Sequence, residues 1–474
     1  MDVLVRDTTL LTLRDETLGI VEDGALGVEG GEIAYVGPES ECEASAETEI
    51  DGSGAVTMPG LVNAHAHTRH TLLRGGAQDV PEIEWMNRAL GPIANQMTLE
   101  DEVVGSRLGV LEAVRAGATT IAEYAGNVDQ LVEEVYQPLG VGVVAVETIN
   151  EVPDDRSDLG PRETYPFDRE QGEAAFDRAE DIFDRYADDP LVEPAYGPQA
   201  LDMVSPDLLE EICEQARKHE RDLHVHVAQG ERERLQIEQR YGRDETTVSV
   251  LDDLGALDDF LVAVHCHGTT PDERERLVEA GARMVACPSS IGMIDGEVPP
   301  VADYVNRGGV AGVGTDQAPG PGHHDLLREA RTASLLSKVD AGDPTALPSW
   351  KTLRLATVEG AKALGIADRV GTLEEGKRAD FVTIDCETLG VAPTVSRPFH
   401  TAIPNLVHST TGREVRDVFV AGDPLVRDGK FVDVDPETVV AEAKERAARV
   451  FADAENDWRE ADSELVARTD EGWL

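Results

Sequence analysis

Five of the twelve histidines in this 474-residue chain stand at the ends of short apolar runs. They are His65 and His67 in LVNAHAHTRH, His226 in LHVHVA, and His265 and His267 in VAVHCHG. Residues i and i+2 of an extended strand point to one side, so His65 and His67 can both face a common ion. An isolated pair of this kind is weak evidence, because half-buried strand histidines are common. The pair gains force from His224-Val225-His226, from His265, and from Asp316 closing GVAGVGTD. Four or five nitrogen and oxygen donors converging from different strands meet the needs of a catalytic metal site with an open water position. The competing reading is a set of core histidines satisfied by backbone carbonyls.

That convergence requires a particular scaffold. From Thr57 onward, short apolar runs alternate with amphipathic helical stretches. The runs are TMPGLVNAH, ATTIAEY, VGVVAVE, LVEPAYG, DLHVHVA, FLVAVHC, ARMVAC and GVAGVGTD. DEVVGSRLGVLEAVRAG precedes the second and PDERERLVEAG the seventh, each with helical spacing. Eight buried strands with intervening helices predict an α/β fold, a (β/α)₈ barrel of the TIM type, over residues 57–370. The ends of barrel strands form its catalytic face, which is where the histidines fall. Residues 1–56 (VLVRD, ALGVEGGEIAYVG, TEIDGSGAV) and 371–435 (RADFVTIDC, VRDVFVAGDPLVRDGKFV) read as short strands, predicting a small β-sandwich domain built from both chain ends. Residues 436–474 read as a charged helical segment. EVPDDRSDLGPRETYPFDREQG, between the third and fourth runs, predicts a long barrel loop.

Composition bounds the function classes. The chain holds 93 acidic and 42 basic residues, a formal charge of −51, and is 41% hydrophobic. Such a charge repels nucleic-acid phosphates and anionic membrane surfaces, while the apolar content supports a sizeable core. The acids recur as short pairs rather than as a tail. Only seven of the basic residues are Lys, the first being Lys218. An evenly acidic, lysine-poor surface fits a halophilic protein, where screening suppresses self-repulsion. Five scattered cysteines without a CxxC pair, no basic-then-apolar leader and no long apolar run predict a reduced, soluble, cytoplasmic protein.

LVNAHAHTRHTLLRG, LHVHVAQ, VAVHCHG, GVGTDQAPG and GTLEEGKRADFVTID together resemble the amidohydrolase superfamily. The subgroup they are similar to contains S-adenosylhomocysteine/methylthioadenosine deaminases and triazine chlorohydrolases, and the likeness runs over nearly the whole chain. The resemblance implies that His65, His67, His226 and Asp316 bind one divalent metal. Zinc is expected, with iron and nickel open to the same donor set. It further implies that His265 contacts the activated water or the group under attack, and that Asp316 is the general base. Many members hold two metals through a Lys on the fourth strand. With no Lys before Lys218, that arrangement is excluded here.

Four positions depart from the subgroup's pattern. Its Glu three residues after the fifth-strand metal His is Gln229, an amide that hydrogen-bonds but carries no proton between atoms. Its His after the fourth strand is Gln199, its Asn after the seventh is Ile291, and its ribose-binding Glu after the first is Ala94. An intact metal shell with an altered substrate shell predicts hydrolysis retained on a substrate other than adenosine-type nucleosides. The expected reaction is displacement of an amino group from a small nitrogen-rich heterocycle. The alternatives are dehalogenation, ring opening, or a non-catalytic metal-binding oligomer component. His70, His267, His323, His324 and Trp85 join Gln199 and Gln229 as candidate substrate contacts, Trp85 by packing on a planar ring. Glu123 and Glu147 are candidates for binding a cationic substrate, or else surface carboxylates. A homo-oligomer is expected.

Overall fold

The computed structural model describes residues 1–153, 156, 159 and 163–474. The other positions fall between the third and fourth barrel strands. The expected loop there, with its Asp154-Asp155 pair, thus lies partly outside the described residues.

All eight apolar runs form parallel strands, in sequence order around one sheet: Leu61–Ala66, Ala118–Ala125, Gly142–Ile149, Val192–Pro198, Leu223–Val227, Leu261–His265, Arg283–Ala286 and Ala311–Val313. Small and β-branched side chains such as Val62, Ala64, Ala122, Val144, Val264 and Val285 fill the interior. The last strand is short, and the sheet closes through its extension. Ala66 pairs with Asp316, the Asp316 N–H donates to the His65 carbonyl at 3.0 Å, and the His67 N–H to the Asp316 carbonyl at 3.1 Å. Gly314 permits this closure, since a Cβ there would lie 2.6 Å from the His65 oxygen. The barrel seam therefore joins the HxH pair to the aspartate.

Local sequence sets the helix starts. Thr98 with Asp101 and Thr270 with Glu273 form reciprocal capping boxes at the N-termini of Leu99–Arg115 and Pro271–Glu279.

The chain ends combine into a nine-stranded mixed sheet. The halves join where Ala55–Pro59 runs antiparallel to Phe381–Asp385, and Phe381 stacks on Phe419 in the core beside Leu10, Leu26 and Leu373. The first apolar run is thus shared between two sheets. Thr57–Pro59 serve this one and Leu61 begins the barrel, with Gly60 between them. Both stretches are buried, so hydropathy shows no break. Among the described residues no helix is long and apolar enough to cross a membrane.

The C-terminal segment forms helices Pro436–Asp453, Glu455–Glu460 and Glu464–Asp470. Val450, Ala454 and Leu465 pack on Leu73, Trp85 and Ile93 after the first barrel strand. Arg446 and Arg449 pair with Asp101 beneath them. Burial raises the Asp101 carboxyl, but hydrogen bonds from Arg449, Thr98 and Arg446 outweigh it and hold it at about 2.

Candidate metal centre and active site

The strand ends bring His65, His67, His226, His265 and Asp316 together. His65, His67 and Asp316 form one group whose donor atoms lie within 4.8 Å of one another, and His65, His226 and His265 form a second. Asp316 Oδ1 is 3.7 Å from His65 Nε2 and 3.5 Å from His67 Nε2. These spacings are too long for hydrogen bonds and suit ligands sharing one ion.

Each of three rings is oriented through its Nδ1. His65 Nδ1 meets His224 Nε2 at 3.1 Å, His67 Nδ1 meets the Tyr124 carbonyl at 2.8 Å, and His226 Nδ1 meets the Gln199 carbonyl at 2.8 Å. Partners of this kind fix tautomer and ring direction in metal-binding histidines. His65 Nε2 is buried with no hydrogen-bond partner among the described residues, an expensive arrangement for an imidazole unless a cation takes the lone pair.

The electrostatics agree. Burial, reinforced by neighbouring imidazoles, pushes His65, His67 and His265 well below the usual histidine range. Burial, helped by the Arg232 charge and opposed by the Gln199 hydrogen bond, takes His226 down to about 4. All four are neutral at pH 7, the form that ligates metal. Burial pushes the Asp316 carboxyl up to about 7 against the Ser290 hydroxyl, which donates to Oδ2. A cation beside it favours the carboxylate. His265 and Asp316 both adopt left-handed backbone conformations, with φ of 73° and 56°. Non-glycine residues are held this way only where their surroundings over-determine them.

Above this floor opens a cavity of about 530 Å³, lined among others by His67, His70, Trp85, Gln199, Gln229 and Asp316. Trp85 belongs to a π-helical turn over Trp85–Leu90, and among the described residues its buried indole N–H has no partner. His70 Nδ1 is 3.0 Å from Gln317 Oε1. Gln229 is anchored by its main chain, its N–H donating to Glu233 Oε2 at 2.7 Å. Ala94 also reaches the wall, while Ile291 is buried away from it.

Three expected substrate contacts are placed elsewhere. His324 lies between the Thr71 and Thr315 hydroxyls at 2.9 and 3.0 Å. His323 Nδ1 accepts the Asp325 N–H at 3.2 Å. Both rings are buried, His324 with both nitrogens engaged and His323 held through Nδ1, its Nε2 lying 3.9 Å from Glu329 Oε2. His267 lies next to Asp295, its Nε2 3.5 Å from Oδ1, and lines neighbouring cavities instead. One residue separates it from His265, but the positive φ of His265 and Cys266 breaks the strand geometry that would align the two rings.

Glu123 and Glu147 are neither exposed nor in the cavity. Glu123 accepts the Thr68 N–H at 3.0 Å and the Tyr136 hydroxyl at 2.6 Å. Glu147 accepts from Asn127 N, Val128 N and Arg178 Nε. Both brace the loops that follow the strands. Sequence reasoning noted His224 without giving it a role, and it missed Ser290 and the carbonyls of Tyr124 and Gln199. Carbonyls carry no residue-type signal.

An eight-stranded parallel barrel with a metal-capable His/Asp cluster at its strand ends defines the class, a barrel hydrolase. Residues 56–425 match the amidohydrolase family profile, and the chain belongs to that family. It is a hydrolase acting on carbon–nitrogen bonds other than peptide bonds. It is 32% identical over 456 residues to a 5'-deoxyadenosine deaminase of Methanosarcina mazei, covering 95% of this chain and 99% of that one. It is 31% identical over 461 residues to a 5-methylthioadenosine/S-adenosylhomocysteine deaminase of Pelotomaculum thermopropionicum, again covering 95% and 99%. Among solved structures it is similar to an adenosine deaminase from Xanthomonas campestris with bound zinc (TM-score 0.87, 29% identity, 95% and 99% covered). An atrazine chlorohydrolase from Arthrobacter aurescens complexed with zinc shares the fold (TM-score 0.82, 23% identity, 94% and 100% covered).

Proposed function

We propose that the protein is a mononuclear deaminase that hydrolyses the exocyclic amino group of an adenosine-like heterocycle. The observation carrying this reading is the set of three imidazoles, each pinned through Nδ1, around Asp316 at the floor of a cavity sized for a nucleoside. His65, His67, His226 and Asp316 would hold one divalent ion, and the zinc in the related adenosine deaminase structure favours zinc. When bound, the ion supplies acidity to water at neutral pH.

The chain's own groups do the rest. Asp316, its carboxylate fixed through Oδ2 by the Ser290 hydroxyl, takes a proton from the attacking water and returns it to the departing nitrogen. His265 orients the attacked group. Gln199, Gln229, Trp85 and His70 bind the heterocycle. Full-length likeness to deaminases of adenosine derivatives outweighs the expectation that such substrates are excluded. The replacements at 94, 199, 229 and 291 then read as tuning within that class.

Gln229 favours a second reading. Chloride leaves without protonation whereas ammonia does not, so an amide at this position suits dehalogenation better than deamination. The deciding experiment offers zinc-loaded protein 5'-deoxyadenosine, 5'-methylthioadenosine, S-adenosylhomocysteine and a chlorotriazine, and measures ammonia and chloride. Ammonia from at least one nucleoside is expected. Chloride alone overturns the deaminase reading, and turnover of nothing supports a binding protein.

Five free cysteines, four of them buried, favour a reducing cytoplasmic setting, and the acidic, lysine-poor composition favours a high-salt solvent. A homo-oligomer completes the proposal.

A further inference from the structure

Gln199 contributes to the site twice. Its carbonyl orients His226, and its side chain lines the cavity. The direction of its side-chain amide is set by a relay beginning on the main chain. The Val152 N–H donates to Asn150 Oδ1 at 2.8 Å, which settles which end of the Asn150 amide is oxygen. Asn150 Nδ2 is then the end that meets Gln199, donating to Oε1 at 2.7 Å. With Oε1 engaged, Gln199 presents its Nε2 hydrogens, and among the described residues nothing accepts them.

The segment carrying the relay is itself tied down. Gln171 Nε2 donates to the carbonyls of Asn150 (2.9 Å) and Val152 (3.1 Å), and the Gln199 N–H donates to the Ile149 carbonyl (3.0 Å). A side-chain amide free to rotate serves donors and acceptors alike. This one cannot reverse without leaving Asn150 Nδ2 facing another N–H group.

We propose that Asn150 is a positioning residue that makes Gln199 an obligate hydrogen-bond donor to substrate. The substrate heterocycle accordingly presents an acceptor, an unprotonated ring nitrogen or a carbonyl oxygen, on its edge toward the fourth barrel strand. Ring systems with an N–H on that edge are rejected, because two donors would face each other in a partly desolvated site. The inference rests on the proposed heterocyclic substrate but not on which group is displaced.

The test uses zinc-loaded enzyme, 5'-deoxyadenosine, and its 1-deaza, 3-deaza and 7-deaza analogues as competing ligands. In the unaltered enzyme one analogue, lacking the matched acceptor, binds about tenfold or more weakly. Asn150→Asp leaves the Val152 contact intact but turns the second oxygen toward Gln199, reversing its amide. Gln199→Glu leaves the carbonyl on His226 and faces the cavity with an acceptor. Each variant is expected to weaken the parent nucleoside by about tenfold to a hundredfold while leaving that same analogue nearly unchanged. The two variants act independently, so poor folding of one leaves the other decisive. An equal loss for parent and all analogues, or no loss, overturns the proposal. Failure of the unaltered enzyme to bind any of the four overturns the heterocycle reading and this inference with it.

Discussion

At the floor of the cavity, His65, His67 and His226 each give Nδ1 to a partner on, or just beyond, another barrel strand. Along the wall, Trp85 and Ala94 stand on short helical turns after the first strand, and Gln229 just beyond the end of the fifth. The far side of the first-strand loop rests on the C-terminal helices. The floor is set by strand register and seam closure, so its donors are placed by the fold itself. The wall is set by packing between segments distant in sequence, and its chemistry can change without disturbing the floor. Such a division lets one metal-assisted hydrolysis serve different substrates.

The strongest test of the floor is Asp316→Asn. Loss of the proton acceptor should lower kcat by about 10²–10⁴-fold with the fold unchanged, seen by steady-state kinetics beside circular dichroism. Retained turnover would remove Asp316 from the role of base. His224→Ala tests whether the floor depends on partners that do not touch the ion. Zinc affinity should fall by about 10–100-fold in competition with a chelator, and an unchanged affinity would mean that the His65–His224 contact orients nothing.

On the wall, Gln229→Glu restores a proton carrier and should raise nucleoside deamination by about tenfold, with zinc content constant. No change in rate or pH profile would show that proton delivery passes elsewhere.

Arg449→Ala should have the smallest effect, loosening the helices behind the wall. With Asp101 held at about 2, below its usual 3.8, the ion-pair contribution is fully present above about pH 4 and is lost as pH falls towards about 2. Urea unfolding should show a modest stability difference from the unaltered protein near neutrality, shrinking in that acid window. A difference that persists unchanged at pH 2 would assign the effect to packing.

Legibility in the sequence followed the same division. Strand histidines and the closing aspartate could be read because period-two spacing and apolar flanks place them. His323 and His324 looked equally chemical in APGPGHHD, yet both are taken up by hydrogen bonds below the surface. Glu123 and Glu147 ended strands in the same way as the histidines, but their rotamers turn into loop backbones. Residue type names what a side chain is able to do, and only its neighbours show whether that capacity is already spent.

By itself the sequence determined the eight-stranded scaffold, the two chain ends that unite in one sheet, the placing of His65, His67, His226, His265 and Asp316 at strand ends, and the absence of any lysine before Lys218. These follow from local periodicity and residue type. Only the tertiary structure decided that Tyr124 and Gln199 orient two imidazoles through their carbonyls, that His224 holds a third, and that Asn150 sets the direction of Gln199. Those roles depend on backbone oxygens, rotamers and hydrogen-bond direction across contacts of up to 159 residues' separation, which no local pattern encodes.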